Sequence, residues 1–247
     1  MRETRQVMGM PVTIELVDAK ATHDEVEKIY AYFKYVDETF STYKATSEIS
    51  QINAGHHPKN SWSADMRYVF EQSELTRQET GGYFSIQHYG HIDPSGYVKG
   101  WAIQNAAQMV TEDGIENYYI EVGGDLQVSG LNSTNLPWTV GIRNPFNELE
   151  IIKRVSLHNL GMATSGTYIR GQHIYNPLLP STPLLDIVSL TVIGPRIVDA
   201  DRFATAAFAM GKDGINFIAG LKDLEGYMID NQGMATFTDG FSQLILR

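Results

Sequence analysis

The chain has 247 residues, of which 43% are hydrophobic and 19% charged, as is typical of a globular protein with a substantial core. It carries 19 basic and 29 acidic side chains, and the formal net charge of −10 argues against a nucleic-acid partner because it repels polyphosphate backbones. The absence of cysteine excludes disulfides, zinc–thiolate sites and thiol nucleophiles.

The N-terminal stretch MRETRQVMGMPVTIEL contains no apolar segment of signal-peptide length. No apolar run of about 18 residues, the length that a membrane-spanning helix needs, occurs elsewhere. We therefore expect no transmembrane segment and a cytoplasmic protein as the chain is written. An extracytoplasmic location is the alternative if a leader has been trimmed from it.

The first predicted element is a strand over residues 12–17, a compact apolar run with β-branched residues. Apolar residues then recur at spacings of three and four from Val26 to Phe40, which predicts an amphipathic helix capped by Thr22 or Asp24. Residues 41–58 are predicted as a loop. Two more helices are expected, at 63–80 and 97–110.

The second half of the chain is dominated by predicted strands. They lie at 118–122, 126–128, 138–142, 155–157 and 187–193, and short strands are expected in the tail at 226–230, 234–238 and 241–247. One helix, over 199–211, separates these groups. Helices and strands are partly segregated, and no repeat or linker is evident, so the sequence predicts one α+β domain spanning 1–247.

The stretch DADRFATAAFAMG, residues 199–211, places a carboxylate and a hydroxyl on one helix face, since Asp201 and Thr205 stand four residues apart. One interpretation is structural: Asp199 or Asp201 caps the helix and Thr205 bonds back to a carbonyl. The other is a divalent-cation site, because hard cations such as Mg²⁺ prefer oxygen ligands. Two such ligands do not complete the coordination shell of a cation, so a further ligand must be sought elsewhere in the chain.

A second candidate segment is DPSGYVKGWA, residues 93–102. Ser95 and Gly96 permit a tight turn, and Lys99 then enters the first turn of a helix, where its charge opposes the helix dipole. Helix N-termini attract anions, and a lysine strengthens that attraction. A solvated lysine beside a turn glycine is the alternative interpretation.

Two further segments carry weaker indications. EVGGDLQVSG, residues 121–130, has glycines at hairpin spacing and is typical of a simple turn. ATSGTYIRGQHIYNP, residues 163–177, places His173 near hydroxyl side chains that suit a pocket, although a lone histidine is more often structural. The other histidines have no supporting context: His23, His56, His57, His88, His91 and His158.

Taken together and in order, these segments resemble one family across nearly the whole chain. The matching segments are MG at 8–9, FSTYKATSEISQIN at 40–53, GGYF at 81–84, DPSGYVKGWA at 93–102, VGGDL at 122–126, ATSGTY at 163–168, HIYNP at 173–177, VSLTVIGP at 188–195 and DADRFATAAFAMG at 199–211. They resemble the ApbE family of Mg²⁺-dependent FAD:protein FMN transferases. The resemblance implies antiparallel sheets with packed helices and a flavin and metal site between the N- and C-terminal parts.

The resemblance also implies a reaction and a metal site. FAD is cleaved at its pyrophosphate, FMN is esterified to a threonine or serine of an acceptor flavoprotein, and AMP leaves. Asp201 and Thr205 match the metal-binding pair, and the Gly96 carbonyl matches the third protein ligand. Mg²⁺ is the expected ion, with Mn²⁺ as the alternative.

The remaining roles carry over in the same way. Met8 and the segment Glu48, Ile49 and Ser50 match positions that contact FAD, and Lys99 matches a lysine near the flavin nucleotide. Tyr43 is expected to stack on a ring of FAD. His173 matches a histidine that contacts FAD and takes the proton of the acceptor hydroxyl, a task that suits imidazole. Asp201 and His173 are thus the expected catalytic residues.

Several departures from the family pattern qualify this expectation. The region between GGYF and DPSG is short, Ser85 stands where many members have an aspartate, and Asn176 and the following LLPST replace the usual aspartate and Thr-Gly turn. The alternatives to a transferase are therefore a metal-dependent FAD pyrophosphatase and a flavin-binding protein without turnover. Family acceptors are subunits of membrane electron-transport complexes or soluble flavin-dependent reductases, and a cytoplasmic acceptor is expected.

Overall fold

The computed structural model describes residues 1–166 and 174–246, apart from the side chain of Glu148. Its helices are α1 (His23–Phe40), α2 (Glu48–Asn53), α3 (Ala64–Glu79), α4 (Ser95–Glu112), α5 (Ile197–Ala209) and α6 (Gly214–Ala219). Its strands are β1 (Arg2–Val7), β2 (Met10–Leu16), β3 (Gln87–His88), β4 (His91–Ile92), β5 (Tyr118–Val122), β6 (Asp125–Ser129), β7 (Trp138–Asn144), β8 (Asn147–Leu157), β9 (Gly161–Gly166), β10 (Ile187–Gly194), β11 (Glu225–Asp230) and β12 (Ala235–Phe237).

A large antiparallel sheet forms the centre of the molecule. Within the described residues its strand order is β1-β2-β5-β6-β9-β10-β11-β12, and each neighbouring pair is antiparallel. The pairs β3–β4 and β7–β8 form two separate hairpins. The α+β prediction is therefore confirmed, with antiparallel sheets and packed helices as the resemblance implies.

Two tight turns in the large sheet position residues that matter for the site. The β1–β2 turn consists of Met8 and Gly9 at φ 56° and 72°, and the β5–β6 turn consists of Gly123 and Gly124 at φ 58° and 101°. Two consecutive positive φ angles suit a two-residue hairpin, because the turn then matches the twist of the strands. The second turn places Asp125 at the first position of β6.

The two faces of the large sheet bury separate apolar clusters. Helices α1, α4 and α5 pack on one face, where Phe33, Ile103 and Phe208 are fully buried. The β7–β8 hairpin contributes Trp138 and Val155 to a second cluster with residues of β6, β9, β10 and β11. The helices are thus held against the sheet over several of its strands, and α4 and α5 lie side by side on it.

Most of the predicted elements are found, and α1 has the predicted Thr22 cap, with Glu25 completing a capping box. The strand predicted at 241–247 is wrong, because Asp239–Gln243 forms a 3-10 helix that turns Phe241 into the core. Helix α2 lies inside the predicted loop, and helix α6 and strands β1, β3, β4 and β9 were not predicted. None of the helices in residues 1–166 and 174–246 combines the length and the apolar character that crossing a bilayer requires.

Candidate functional site

Two neighbouring cavities open beside the N-terminal end of α4. The smaller, about 250 Å³, is lined by the N-terminal turns of α4, by α5, by the end of β9 and by the β3–β4 hairpin. The larger, about 570 Å³, lies between α4, the end of α1 and the β1–β2 turn. Asp93, Ser95 and Lys99 line both cavities, so the two spaces meet at the start of α4.

The predicted metal ligands lie together on the wall of the smaller cavity. Asp201 and Thr205 both face it from α5, and Gly96 lines it from the first turn of α4. A Cβ placed on Gly96 would lie 3.3 Å from Thr205 Cγ2 and 3.6 Å from Thr205 Oγ1. The Gly96 backbone therefore passes close to the Thr205 side chain, and all three residues line the same cavity.

The structural interpretation of Asp201 does not hold. The N-cap of α5 is Arg196 without a side-chain cap, and Asp201 lies in the second turn, where its carboxylate is 4% exposed. Asp201 Oδ2 accepts a hydrogen bond of 2.7 Å from the Gly100 amide of α4. Among the described residues Thr205 makes no back-bond to a carbonyl. Both side chains are therefore turned to the neighbouring helix and the cavity.

Gly100 allows this close approach of α4 and α5. A Cβ at this position would lie 2.7 Å from Asp201 Cβ and 3.0 Å from Val198 Cα. We expect Gly100→Ala to lower the free energy of unfolding by about 1–3 kcal/mol, the usual cost of overpacking, and to displace Asp201. Urea unfolding measures the loss of stability.

Gly220→Ala is the matched control, because a Cβ there meets its nearest atom at 3.4 Å, an ordinary contact, and the residue has a helical backbone. Its stability is expected to change by less than about 0.5 kcal/mol. Equal stability of the wild type and Gly100→Ala would contradict the close packing of Asp201 against α4.

Lys99 is held by a buried carboxylate that sequence analysis did not assign. The distance from Lys99 Nζ to Asp125 Oδ2 is 2.5 Å, and the two side chains are 18% and 2% exposed. Asp125 Oδ1 also accepts a hydrogen bond of 3.0 Å from the Thr164 amide of β9. The alternative interpretation of Lys99 as a freely solvated lysine is thus excluded, because Asp125 holds its ammonium at the junction of the two cavities.

The β3–β4 hairpin forms the outer wall of the smaller cavity and occupies the short region between GGYF and DPSG. His88 and His91 both line the cavity, together with Tyr175, whose ring stacks on that of His88. The Tyr175 hydroxyl donates to the Gln87 carbonyl at 2.6 Å, and burial raises the pKa of this phenol, so it stays protonated as a donor. These contacts therefore hold the hairpin against the segment that follows residue 173.

The larger cavity has mainly apolar walls. Met8, Met10, Val36, Phe40 and Val98 line it, and Tyr43 stands at its rim with a side chain that is 98% exposed. Lys44 and Asp37 form an ion pair at the same rim. The two residues predicted here, Met8 and Tyr43, are thus brought to one space with room for a flat ring system.

The segment Glu48, Ile49 and Ser50 lies behind these walls. Ile49 is fully buried, Glu48 accepts a hydrogen bond of 2.6 Å from the Ser63 amide, and none of the three lines either cavity. Ser50 Oγ donates to the Ser41 carbonyl at 3.3 Å, and Ser41 does line the larger cavity. In the described residues this segment supports the cavity wall, and its predicted contact with FAD stays a prediction.

His173 lies outside the described residues, so its predicted role stays a prediction as well. The next two residues, Ile174 and Tyr175, both line the smaller cavity. Two of the residues that depart from the family pattern make local hydrogen bonds. Ser85 Oγ accepts one of 3.1 Å from the Gln87 amide, and Asn176 Oδ1 accepts one of 2.9 Å from the Leu178 amide. Each therefore has a local structural role at the cavity edge.

Comparison with solved structures shows that this fold is that of the ApbE flavin transferases. Flavin Transferase ApbE from Vibrio cholerae is similar with a TM-score of 0.85 and 20% identity, covering 99% of this chain and 98% of that one. The ApbE protein from Thermotoga maritima is similar with a TM-score of 0.87 and 20% identity, covering 100% and 99%. At this identity the likeness establishes the fold.

The chain belongs to the ApbE family, since the model of that family matches residues 8–91 and 87–228. The FAD:protein FMN transferase of Escherichia coli K12 is 30% identical over 152 residues, which is 58% of this chain and 43% of that protein. The FAD:protein FMN transferase of Vibrio cholerae O395 is 30% identical over 132 residues, 50% and 40% of the two chains. These alignments thus cover less than half the length of either relative.

Proposed function

We propose that this protein is a metal-dependent FAD:protein FMN transferase, which attaches FMN from FAD to a threonine or serine of an acceptor flavoprotein and releases AMP. The observation that carries the proposal is the convergence of Asp201, Thr205 and Gly96 with Lys99 on one cavity. Lys99 also lines the adjoining apolar cavity. The names of the curated relatives, FAD:protein FMN transferase, support the same activity.

The donor set fits Mg²⁺. It consists of a carboxylate, a hydroxyl and a backbone carbonyl, all oxygen donors, beside a cavity with space for phosphate and water ligands. We propose that Asp201, Thr205 and the Gly96 carbonyl hold this ion, with Mn²⁺ as the alternative. When bound, it supplies charge neutralisation for the oxygens of the FAD pyrophosphate.

The shape of the two cavities supports a bound dinucleotide. FAD consists of two ring systems joined by a pyrophosphate, and the apolar larger cavity suits one of the rings, which Met8 and Tyr43 would contact. The polar groups at the junction and in the smaller cavity suit the pyrophosphate, and Lys99 is positioned by Asp125 to bind its oxygens. Lys99 thus supplies a local positive charge for binding an anion in a chain whose net charge is −10.

The proposed reaction transfers the FMN phosphoryl group from the pyrophosphate of FAD to the acceptor hydroxyl. The acceptor hydroxyl oxygen attacks the phosphorus of the FMN half, and the bond from that phosphorus to the bridging oxygen breaks, so that AMP leaves with that oxygen. His173 takes the proton of the hydroxyl, as general base chemistry requires. Its place in the sequence, directly before two cavity-lining residues, supports this role.

Two other activities use the same residues and differ in the acceptor. A pyrophosphatase would use water as the acceptor and hydrolyse FAD to FMN and AMP. A flavin-binding protein would bind FAD without converting it. The relatives' names favour the transferase over both.

Separation of the nucleotide products tests the proposal. The protein is incubated with FAD and Mg²⁺, with and without an acceptor flavoprotein, and AMP and free FMN are quantified chromatographically. The transferase is expected to release AMP only with the acceptor and to release little free FMN. Equal AMP and FMN regardless of acceptor would show hydrolysis, and no loss of FAD would show a binder.

A further inference from the structure

Two segments that border the smaller cavity carry large apolar side chains in exposed positions. Tyr89, Leu178 and Leu179 are 77%, 51% and 57% exposed. Exposed apolar residues that stand singly are common on protein surfaces, whereas several beside one cavity indicate an interaction site. We call these three residues the apolar rim.

A stack of rings holds Tyr89 beside the cavity wall. Tyr89 follows directly after His88 in the β3–β4 hairpin, and their ring centroids lie 4.3 Å apart. His88 is in turn stacked on Tyr175, with centroids 3.7 Å apart. Because His88 and Tyr175 both line the cavity, the Tyr89 ring lies one ring away from its wall.

The two leucines follow the same wall one turn further along the chain. The amides of Leu178 and Leu179 donate to Asn176 Oδ1 and to the Asn176 carbonyl, at 2.9 and 3.1 Å. Pro177, inside this turn, lines the cavity. Leu178 also packs beside Gly82, since a Cβ placed on that glycine would lie 3.0 Å from Leu178 Cδ2. The turn therefore fixes both leucines next to residues of the cavity wall.

The geometry of the β3–β4 turn gives no structural reason for an aromatic residue. Tyr89 and Gly90 have φ angles of 50° and 80°, and asparagine, aspartate and glycine are the residues that favour such a turn. A bulky side chain at positive φ is uncommon, because its Cβ crowds the backbone. A strained residue that is also mostly exposed points to a role outside the folded chain.

The proposed reaction brings a protein substrate to this place. The acceptor hydroxyl has to reach the cavity that Asp201 and Thr205 line, and a space of about 250 Å³ admits little more than the residue that carries this hydroxyl. The flanking residues of the acceptor therefore stay outside, against the surface around the cavity. We propose that the apolar rim docks the acceptor flavoprotein by packing on apolar side chains that flank its target threonine or serine. The inference rests on the proposed function and names the surface that receives its second substrate.

The dependence of the transfer rate on acceptor concentration tests the inference. The probe is a soluble flavin-dependent reductase with a threonine that the wild-type protein flavinylates, and its intact mass is followed at saturating FAD and Mg²⁺. The double variant Tyr89→Asn with Leu179→Ser is expected to raise KM for the reductase by about 10- to 30-fold, because truncating interface anchors weakens docking. The kcat and the affinity for FAD are expected to stay as in the wild type.

Two controls separate docking from folding. Tyr89→Asn alone suits the turn, since asparagine tolerates positive φ, so its melting temperature is expected to equal or exceed that of the wild type. Leu149→Ser removes a leucine that is 97% exposed on the β7–β8 hairpin and lines neither cavity. This variant is expected to keep the wild-type KM for the reductase.

The outcomes are distinct. A wild-type KM in the folded double variant, or an equal rise in KM for Leu149→Ser, would overturn the inference while leaving the transferase intact. A wild-type protein that sediments as a dimer, with a double variant that sediments as a monomer, would also overturn it, because the apolar rim would then join two copies of this chain. A wild-type protein that leaves every reductase tested unmodified would overturn the proposed function and the inference with it.

Discussion

Replacing Asp201 with alanine is expected to reduce Mg²⁺-dependent consumption of FAD by about 10²- to 10³-fold, the usual loss when a preorganised electrostatic group is removed from a reaction site. The carboxylate is almost fully buried and faces the same cavity as Thr205 and Gly96. Its removal takes away the charged member of the proposed ligand set. The measurement is the rate of AMP release as a function of Mg²⁺ concentration, and the apparent requirement for Mg²⁺ is expected to rise.

Two matched variants accompany this experiment. Asp199→Ala removes a carboxylate two residues earlier on α5, which binds Arg202 and lines neither cavity, so FAD turnover is expected to persist. Asp201→Asn keeps an oxygen that can accept the Gly100 hydrogen bond, so it tests the charge apart from the packing. Full turnover in a folded Asp201→Asn protein, at the wild-type Mg²⁺ concentration, would contradict a metal-binding role.

Replacing Asp125 with alanine is expected to lower the free energy of unfolding by about 3 kcal/mol, in the range found when one partner of a buried ion pair is removed. The change deletes the carboxylate that faces the Lys99 ammonium and the acceptor of the Thr164 amide. It is also expected to weaken FAD binding, because Lys99 loses the group that positions it. Urea unfolding and FAD titration measure the two effects.

The double variant Lys99→Met with Asp125→Ala separates stability from binding. Removing both charges is expected to recover part of the stability, since no lysine charge is then left beside an apolar side chain, whereas FAD binding is expected to stay weak. A stability loss below about 0.5 kcal/mol for Asp125→Ala, typical of surface substitutions, would contradict the importance of the ion pair.

Local patterns were sufficient to predict most of the fold. The apolar spacing of α1 and the Thr22 cap are encoded within one helix, and both appear in the structure. Strands β5, β7 and β10 are apolar runs that need no partner to be recognised. Two of the elements that were not predicted depend on tertiary contacts. Strand β1 is a polar edge strand, and β9, GMATSG, consists mainly of small residues that are strand-like only between β6 and β10.

The candidate site also combines features that local sequence patterns predict with features that depend on tertiary packing. Helical spacing alone places Asp201 and Thr205 on one face, so their proximity was predictable. The contact of Gly96 with Thr205 depends on how α4 packs against α5, and it followed only from the family resemblance. The Lys99–Asp125 pair joins a helix to a hairpin turn, and no local pattern in VGGDL reveals it.

His88 illustrates the limit of sequence patterns most clearly. Nothing beside it in the chain distinguishes it from the other histidines, and the closest stacking partner, Tyr175, lies far away in sequence. Its buried Nε2 and its place on the cavity wall are properties of the folded chain. A residue of this kind, on a short hairpin, is recognised only from the structure.

The most direct test of the account is the intact mass of an acceptor flavoprotein after incubation with this protein, FAD and Mg²⁺. We predict the added mass of one FMN phosphoester on a threonine or serine, dependent on Mg²⁺ and lost in Asp201→Ala. An acceptor that is modified equally by Asp201→Ala, or without divalent metal, would contradict the proposed site. If every acceptor flavoprotein tested stays unmodified while FAD is cleaved to FMN and AMP, the proposed transferase activity is contradicted.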